Sequence, residues 1–272
     1  FYVTTSSLPE ETAKFRKHIE VKGFDVIAPY RPCFGQSEPA EHKNTPEGYA
    51  NDCVALINEL GVSELHIAGH REGGIFAAKL ARRIGPGALS LTIINTGAPV
   101  TDWTILHKGS LVARRSLVTA IKAPKALELG YRLAVRIFKS GQAGENKILD
   151  VFYSGSPIDA ATYQDPVLRE VTRNNIAFCF QSSDDIVADI ALWASDWSDD
   201  LDNLSSATKA LFIHSEEHDF MLADWVRNLC RDNPRLDCKV IPLSGQTMLY
   251  TNTKKVTDLL AVQIDAGTCG KP

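Results

Sequence analysis

Five consecutive residues, Gly69-His70-Arg71-Glu72-Gly73, have the glycine spacing of a nucleophile motif but lack its nucleophile. The motif with this spacing is Gly-x-Ser-x-Gly, in which a sharp strand-to-helix turn presents a serine for attack on an acyl carbon. Arg71 stands at the serine position, and a guanidinium stays protonated and cannot act as a nucleophile. The segment therefore predicts the geometry of an acyl-transfer site without its chemistry.

The residues on either side predict the strand and the helix that would form this turn. Leu65–Ala68 is a short apolar run of strand type, and Gly73–Ile84 has the spacing of an amphipathic helix. The glycines between them allow the close approach of strand and helix that a tight turn needs. We therefore expect Arg71 at the tip of a strand-to-helix turn.

The turn belongs to an alternation of strands and helices that predicts an α/β fold. Strands are expected at Phe1–Val3, Phe24–Ala28, Leu65–Ala68, Leu89–Asn95, Ala210–His214 and Cys238–Pro242. Helices are expected at Glu10–Lys22, Thr45–Leu60, Gly73–Ile84, Met221–Asn233 and Lys254–Ile264. Such an alternation implies right-handed crossovers and a mostly parallel sheet with helices on both faces.

A block without strand patterns separates the two halves of this alternation. Residues from about 100 to 200 contain several helical patterns rich in Leu, Ala, Val and Arg. An all-helical block between sheet strands predicts a cap over the carboxyl edge of the sheet, where open α/β sheets bind ligands. We expect an α/β core at 1–99 and 201–266, a helical cap at 100–200 and a tail at 267–272.

Composition excludes several classes of partner. The chain has 272 residues and a formal net charge of -4, so it offers no basic surface for nucleic acid or anionic membrane. No apolar run approaches the roughly 20 residues of a membrane-spanning helix, and no signal segment is recognisable. The six cysteines have no metal-ligand spacing, which predicts free thiols, a cytoplasmic protein, and neither metal nor cofactor.

Five segments, in this order along the chain, resemble the α/β-hydrolase superfamily with a helical cap. They are VIAPYRPCFGQSEP, YANDCVALINELGVSELHIAGH, GGIFAAKLARRIGP, DWSDDLDNLSSATKALFIHSEEHD and VIPLSGQTMLYTNTKKVTDLLA. The resemblance covers nearly the whole chain and implies the fold of that family. It also implies an ancestral site in which a serine attacks, a histidine takes its proton and a carboxylate orients the histidine.

Matched by position, all three members of that triad are replaced. Arg71 occupies the serine position, and His218 the carboxylate position, with Asp219 one place later. Gln246 occupies the histidine position, and an amide cannot accept and return a proton near neutral pH. The His-Gly pair expected after the first strand is replaced by Thr-Thr-Ser-Ser at 4–7. The resemblance therefore implies a catalytically degenerate member, and we expect no serine-hydrolase activity.

Other chemistry-bearing residues have plainer interpretations. His70 and His214 match structural residues of the family, and Cys33 is expected to be an inert buried thiol. The run at 216–219, Glu-Glu-His-Asp, is expected to be a solvated loop in preference to a metal site. The aspartates of the cap are expected to be helix-start and surface charges; they are Asp184, Asp185, Asp199, Asp200 and Asp202.

Two roles stay open for Arg71. The start of a helix attracts negative charge, and arginine binds carboxylate or phosphate in a fork, which predicts binding of a small anionic or acyl-bearing ligand beneath the cap. The residues expected to share this ligand site are His70, Glu72, Thr4, Thr5 and Gln246. The alternative is that Arg71 fills the old pocket by pairing with Glu72 or with a carboxylate of the 216–219 loop.

Three functions therefore stay open: a non-catalytic domain for ligand sensing or regulation, an enzyme with displaced hydrolase or lyase chemistry, and a scaffold or dimerisation domain. Degenerate hydrolase-like domains occur as the C-terminal halves of helix-turn-helix transcriptional regulators. The strand-like run FYVTT at residue 1 and the segment RIFKSGQAGENKILDVFYSGSPIDAATYQDPVLREV suit such a fusion. We expect a homodimer or an N-terminal DNA-binding domain outside this chain, and no direct contact of this chain with nucleic acid or membrane.

Overall fold

A parallel sheet of six strands organises the molecule. The computed structural model describes residues 2–5, 9–32, 34–38, 45–101, 111–153, 156–181, 183–218 and 222–268. The strands are β1 (Tyr2–Thr5), β2 (Val26–Ile27), β3 (Leu65–His70), β4 (Ala88–Ile94), β5 (Lys209–Ser215) and β6 (Leu236–Ile241). All neighbouring pairs are parallel, in the order β2-β1-β3-β4-β5-β6. The winding reverses between β1 and β3, and ligands of such sheets bind beyond the carboxyl ends of the strands at that point.

Helices cover both faces of the sheet. Those joined directly to the strands are α1 (Pro9–Glu20), α2 (Pro46–Glu59), α3 (Gly73–Ile84), α11 (Ala223–Asp232), α12 (Met248–Thr251) and α13 (Thr253–Thr268). Successive strand residues alternate between two cores: Phe212 packs with α2, α3 and α11, whereas Ile213 packs with α1 and α13. The predicted fold class, a mostly parallel sheet with helices on both faces, is confirmed.

The described residues between β4 and β5 form helices and no strand. They are α4 (Leu111–Lys122), α5 (Pro124–Phe138), α6 (Gln142–Tyr153), α7 (Pro157–Thr162), α8 (Pro166–Cys179), α9 (Ser183–Trp193) and α10 (Ser198–Asp202). We call α4 to α9 the helical insertion. Its helices α5, α6 and α8 share an apolar cluster of their own that includes Phe138, Leu149 and Ile176. The insertion thus has a local core as well as contacts with the sheet.

The limits of several elements differ from the expectation. Helix α13 extends to Thr268, so residues 267–268 of the predicted tail are helical, and residues 269–272 lie outside the described part. Helix α10 packs on α3, where Asp200 is buried and its carboxylate lies 2.7 Å from the Lys79 ammonium and 3.0 Å from the Arg82 guanidinium. The interpretation of Asp200 as a surface charge was therefore wrong. The packing of α10 on α3 buries its side chain, and its carboxylate pairs there with both of these cations of α3.

The turn between β3 and α3 has the sharp geometry that the glycines predict. Arg71 has a φ of 56°, in the left-handed region that L-residues with a side chain rarely enter. A Cβ on Gly69 would overlap the backbone carbonyl of Gly73, and one on Gly74 would overlap the side chain of Thr96. The backbone of β3 is therefore closer to the start of α3 than any larger residue at 69 would allow, and the start of α3 packs equally tightly against side chains in and just after β4.

Substitution at the tightest of these contacts tests this packing. We expect Gly69→Ala to lower the free energy of unfolding by about 3 kcal/mol, because the added methyl meets backbone that cannot rotate away. The matched control is Gly130→Ala in α5, where no described atom lies within 4 Å of the added Cβ. That change should stabilise the protein by about 0.5–1 kcal/mol through helix propensity. Urea unfolding measures both; equal midpoints for Gly69→Ala and wild type would contradict the geometry.

Candidate functional site

Arg71 is held at the carboxyl edge of the sheet by its own backbone. Its N–H donates to the carbonyl of Ile94 at 2.8 Å, and its carbonyl accepts a hydrogen bond from the Thr96 hydroxyl. Ile94 is the last residue of β4, and Thr96 lies two residues beyond it. These two hydrogen bonds therefore attach the turn to the end of β4. The structure therefore has Arg71 at the tip of a strand-to-helix turn, as the sequence predicts.

The side chain of Arg71 lies on the wall of a cavity of about 90 Å³ between the sheet edge and the helical insertion. The guanidinium carbon is 5.5 Å from the centroid of the Trp193 ring, which is within range of a cation–π contact. Aromatic residues dominate the remaining wall; they are Phe34, Tyr131, Phe152, Tyr153 and Phe180. The cavity is thus a mostly apolar space whose wall also carries the Arg71 guanidinium, the carboxylates of Glu72 and Asp189, and the amides of Asn175 and Gln246.

A buried ion cluster lies beside this cavity and joins the sheet to the insertion. Arg31 is 2% exposed, and its two terminal nitrogens each donate to one carboxylate oxygen of Asp189 in α9 at 2.7 Å. Glu72, next to Arg71, lies 3.6 Å from the same guanidinium. The rings of Phe34 and Phe76 lie 4.7 and 4.5 Å from the guanidinium carbon. The loop after β2, the turn between β3 and α3, and the helical insertion therefore meet in one desolvated cluster.

Burial controls ionisation in this cluster. It raises the pKa of Asp189 to about 6, although the guanidinium of Arg31 acts in the opposite direction. Burial works to lower the pKa of Arg31, but the charges of Asp189 and Glu72 outweigh it and raise that pKa above its ordinary value. Burial also raises the pKa of the Cys179 thiol on the cavity wall to about 12. Arg31 therefore stays charged, and Cys179 stays a neutral thiol.

Three buried histidines lie behind Arg71. Burial lowers the pKa of His70 well below its ordinary value, and the charge of Arg71 lowers it further. The rings of His214 and His218 are 5.6 Å apart; burial lowers the pKa of His214 to about 4 and that of His218 well below its usual range. All three imidazoles are neutral at pH 7. Because their conjugate acids are strongly disfavoured here, they are weak bases.

The loop that carries Gln246 is held in place by hydrogen bonds on both sides. The backbone N–H of Gln246 donates to Asp159 Oδ2 at 3.0 Å, and the Asn95 amide donates to the Gly245 carbonyl at 3.2 Å. A Cβ on Gly245 would overlap the Asp159 carboxylate, so only glycine fits there. The loop between β6 and α12 is therefore locked against α7, with Gln246 on the cavity wall.

The structure brings together some of the predicted site residues. Arg71, Glu72 and Gln246 line the cavity, and His70 is buried behind them at the end of β3. Thr4 and Thr5 end β1 and pair in register with Ala68 and Gly69 of β3. Whether any of these residues binds a ligand stays a prediction.

The loop at 216–219 differs from the expectation. His218 is buried against His214 instead of solvated. The backbone N–H groups of Glu216 and Glu217 donate to the carbonyls of Ile241 and Ser244, which holds this segment against the end of β6. Glu216 is exposed, and Glu217 accepts a hydrogen bond from the Ser156 hydroxyl at 3.0 Å. Asp219 and Cys33 lie outside the described residues. In the part of the chain that is described, no group of three or more His, Cys, Asp and Glu side chains is arranged to hold a metal ion.

Sequence reasoning missed three of the charged or polar groups at this site. Arg31, Asp159 and Asp189 were not identified, because each acquires its role from a partner far away in the chain. The only local signal was the position of Arg31, three residues after the end of a predicted strand and therefore near the carboxyl edge of the sheet. Asp159 has the sequence context of a helix start, and Ser156 does cap its backbone N–H at 3.2 Å.

Comparison with solved structures identifies the fold. A thermophilic esterase from Thermogutta terrifontis, solved with malate bound, has a TM-score of 0.68 at 18% identity, covering 98% of this chain and 89% of that one. MenH from S. aureus has a TM-score of 0.70 at 12% identity, covering 98% and 94%. A variant of CumD, the meta-cleavage product hydrolase from Pseudomonas fluorescens IP01, complexed with acetates, has a TM-score of 0.67 at 18% identity, covering 97% and 90%. The chain therefore has the α/β-hydrolase fold.

Sequence comparison adds no closer relationship. No protein-family model matches the chain, and no curated protein matches it. Among the described residues, no helix combines the length and the apolar character needed to cross a membrane.

The buried cluster predicts a large effect of a single substitution. Arg31→Met should lower the free energy of unfolding by about 3–5 kcal/mol, because it leaves Asp189 and Glu72 desolvated without a counter-charge. Adding Asp189→Leu should recover part of the loss. The control is Arg227→Met, which breaks an ion pair whose side chains are 48% and 78% exposed and should cost less than about 1 kcal/mol. Urea denaturation that finds Arg31→Met as stable as Arg227→Met would contradict this assignment.

Proposed function

We propose that this α/β-hydrolase-fold chain is a non-catalytic domain that binds a small anionic ligand, a carboxylic acid or a related acyl-bearing molecule, through Arg71. The observation that carries the proposal is the position of the guanidinium. It lies on the wall of a cavity of about 90 Å³ under the helical insertion, at the point where the family presents its nucleophile. The groups expected to assist it are Glu72, Gln246, His70, Thr4 and Thr5.

Electrostatics favour an anion at this point. Arg71 immediately precedes the first turn of α3, a helix of 12 residues whose N-terminus carries a partial positive charge. Arg71 also lies over the Trp193 ring, and Glu72 and Asp189, which line the same cavity, lie against the Arg31 guanidinium. Helix dipole and guanidinium therefore act together on a ligand at the sheet end of the cavity. A planar carboxylate suits the fork of an arginine.

The same residues argue against acyl transfer. Arg71 provides no nucleophile, and the amide of Gln246 cannot activate a hydroxyl or a water. The neutral histidines behind Arg71 have pKa values lowered by burial, which makes them poor general bases. In comparable enzymes the removal of one triad member already eliminates most of the rate enhancement.

The biological role that we infer is ligand sensing in regulation. It rests on the sequence resemblance to the C-terminal halves of helix-turn-helix regulators. In this view the chain works as a homodimer, or follows an N-terminal DNA-binding domain, and the bound acid changes the arrangement of the insertion relative to the sheet. A scaffold with a filled pocket is less well supported, because a cavity is present where the scaffold hypothesis needs packed side chains.

An enzyme with displaced chemistry is the second candidate. Two observations favour it: several solved structures with this fold are described as esterases or hydrolases, and three imidazoles lie close behind Arg71. A hydrolase or lyase that uses these groups would also bind its substrate through Arg71. Turnover, and not binding, is therefore what separates the two functions.

Ligand binding tests the main proposal. Calorimetry and thermal shift with acetate, propionate, malate and benzoate should identify at least one acid that binds wild type. Arg71→Met should weaken that binding by about ten- to a hundredfold, because it removes one charge-assisted hydrogen-bonded pair between the guanidinium and the acid. Arg71→Lys should recover only part, because an ammonium lacks the fork geometry.

Arg169→Met is the matched control for this experiment. Its guanidinium stacks on the Tyr163 ring at 4.5 Å in the insertion, away from the cavity wall. Acid affinity should therefore be unchanged in this variant. If Arg71→Met only melts earlier and no acid distinguishes it from wild type, Arg71 has a structural role and the proposal fails.

Ester hydrolysis tests the second candidate. We expect wild type to hydrolyse p-nitrophenyl acetate no faster than the denatured protein does. Arg71→Ser should not create activity, because Gln246 still cannot take the hydroxyl proton. Turnover well above the denatured control, and abolished by His70→Gln or His218→Gln, would establish the enzyme in place of the binding domain.

A further inference from the structure

The cavity wall carries two buried amides whose hydrogen-bonding capacity is incompletely used. Asn175 in α8 is 5% exposed, and Gln246 after β6 is 3% exposed. Within the described part of the chain, neither Asn175 Oδ1 nor Gln246 Nε2 has a hydrogen-bond partner. The two residues belong to different layers of the molecule, one to the insertion and one to the sheet edge, yet both line the same cavity.

Two such atoms on one cavity require a physical reason. Buried polar groups nearly always have a partner, because an unsatisfied one forfeits its interaction with water. The Gln246 backbone is fixed by Asp159 at 3.0 Å, and glycine is needed at 245 for that contact. The side-chain amide of Gln246 is therefore carried by a rigid loop, and its polar end lies at a mostly apolar wall.

We infer that the acid bound by Arg71 is a short hydroxy acid, whose hydroxyl is recognised by Asn175 and Gln246. This inference rests on the proposed function of Arg71 and adds the chemical class of the ligand. An amide nitrogen donates and an amide oxygen accepts, and a hydroxyl is the group that can satisfy both at once. A carbonyl accepts from Gln246 alone.

The dimensions of the cavity limit the ligand. Its volume is about 90 Å³, well above the minimum of about 10–15 Å³ that holds one water molecule. This size suits a short acid such as lactate or malate better than a long acyl chain. The aromatic wall then encloses the short carbon skeleton between the carboxylate and the oxygen.

Pairs of acids that differ by one hydroxyl test the inference. Lactate should bind wild type about ten- to a hundredfold more tightly than propionate, or malate than succinate, because the acid without the hydroxyl leaves the amides unpaired. Asn175→Leu and Gln246→Met remove the amides with little change in volume. Each should reduce this preference, and both together should abolish it, so that the two members of each pair bind equally.

Two further variants separate this inference from the proposed function. Arg71→Met should weaken both members of a pair equally and leave the hydroxyl preference intact. Asn203→Leu removes an amide from the end of α10, away from the cavity wall, and should change neither affinity nor preference.

Each contrary result has a definite meaning. If the members of each pair bind equally to wild type, the hydroxyl inference is overturned and the proposed function stands. If the amide variants become more stable but keep the preference, the amides contact only water and the inference is likewise overturned. If lactamide binds as well as lactate, the carboxylate role of Arg71 is wrong, and the proposed function is overturned. If none of these compounds binds, both fail.

Discussion

The close contact between β3 and the start of α3 around residue 71 is the constraint on which the site depends. The backbone of Gly73 and Gly74 lies where a Cβ on Gly69 would be, and the side chains of Ile93 and Thr96 lie where a Cβ on Gly74 would be. Between these two contacts the chain passes through the left-handed region at Arg71. In enzymes with the Gly-x-Ser-x-Gly motif such a turn presents a nucleophile, and here it carries a guanidinium on the cavity wall.

Desolvated charge determines what surrounds that guanidinium. Arg31, enclosed by aromatic rings, holds the Asp189 carboxylate of the insertion in two hydrogen bonds and has the Glu72 carboxylate within 3.6 Å. Removing water strengthens this pairing and also raises the cost of any unmatched charge. The cluster therefore joins two layers of the molecule, with one guanidinium between two carboxylates that also line the cavity.

The order of strands and helices was predictable because it is encoded locally. Periodicity identifies β3 and α3, and the glycines between them predict the sharp turn at Arg71 without any partner residue. The buried pairs were not predictable in this way. Arg31 and Asp189 are separated by 158 positions, and Asp159 and Gln246 by 87, so neither neighbourhood contains the signal. His218 and Asp200 were interpreted as exposed for the same reason, since a charged or polar run resembles solvent-facing sequence until a distant element covers it.

The helical insertion enters and leaves the sheet domain through adjacent points of the chain. The N–H of Val100, shortly after β4, donates to the carbonyl of Ser195, shortly after α9, at 3.0 Å. Its helices also share an apolar cluster among themselves. A segment whose ends are neighbours and that has its own core is a module. Recombination at two neighbouring sites, in evolution or in design, can exchange it without changing the strands of the sheet. The turn at Arg71 would then stay the same while the cavity wall opposite it is replaced.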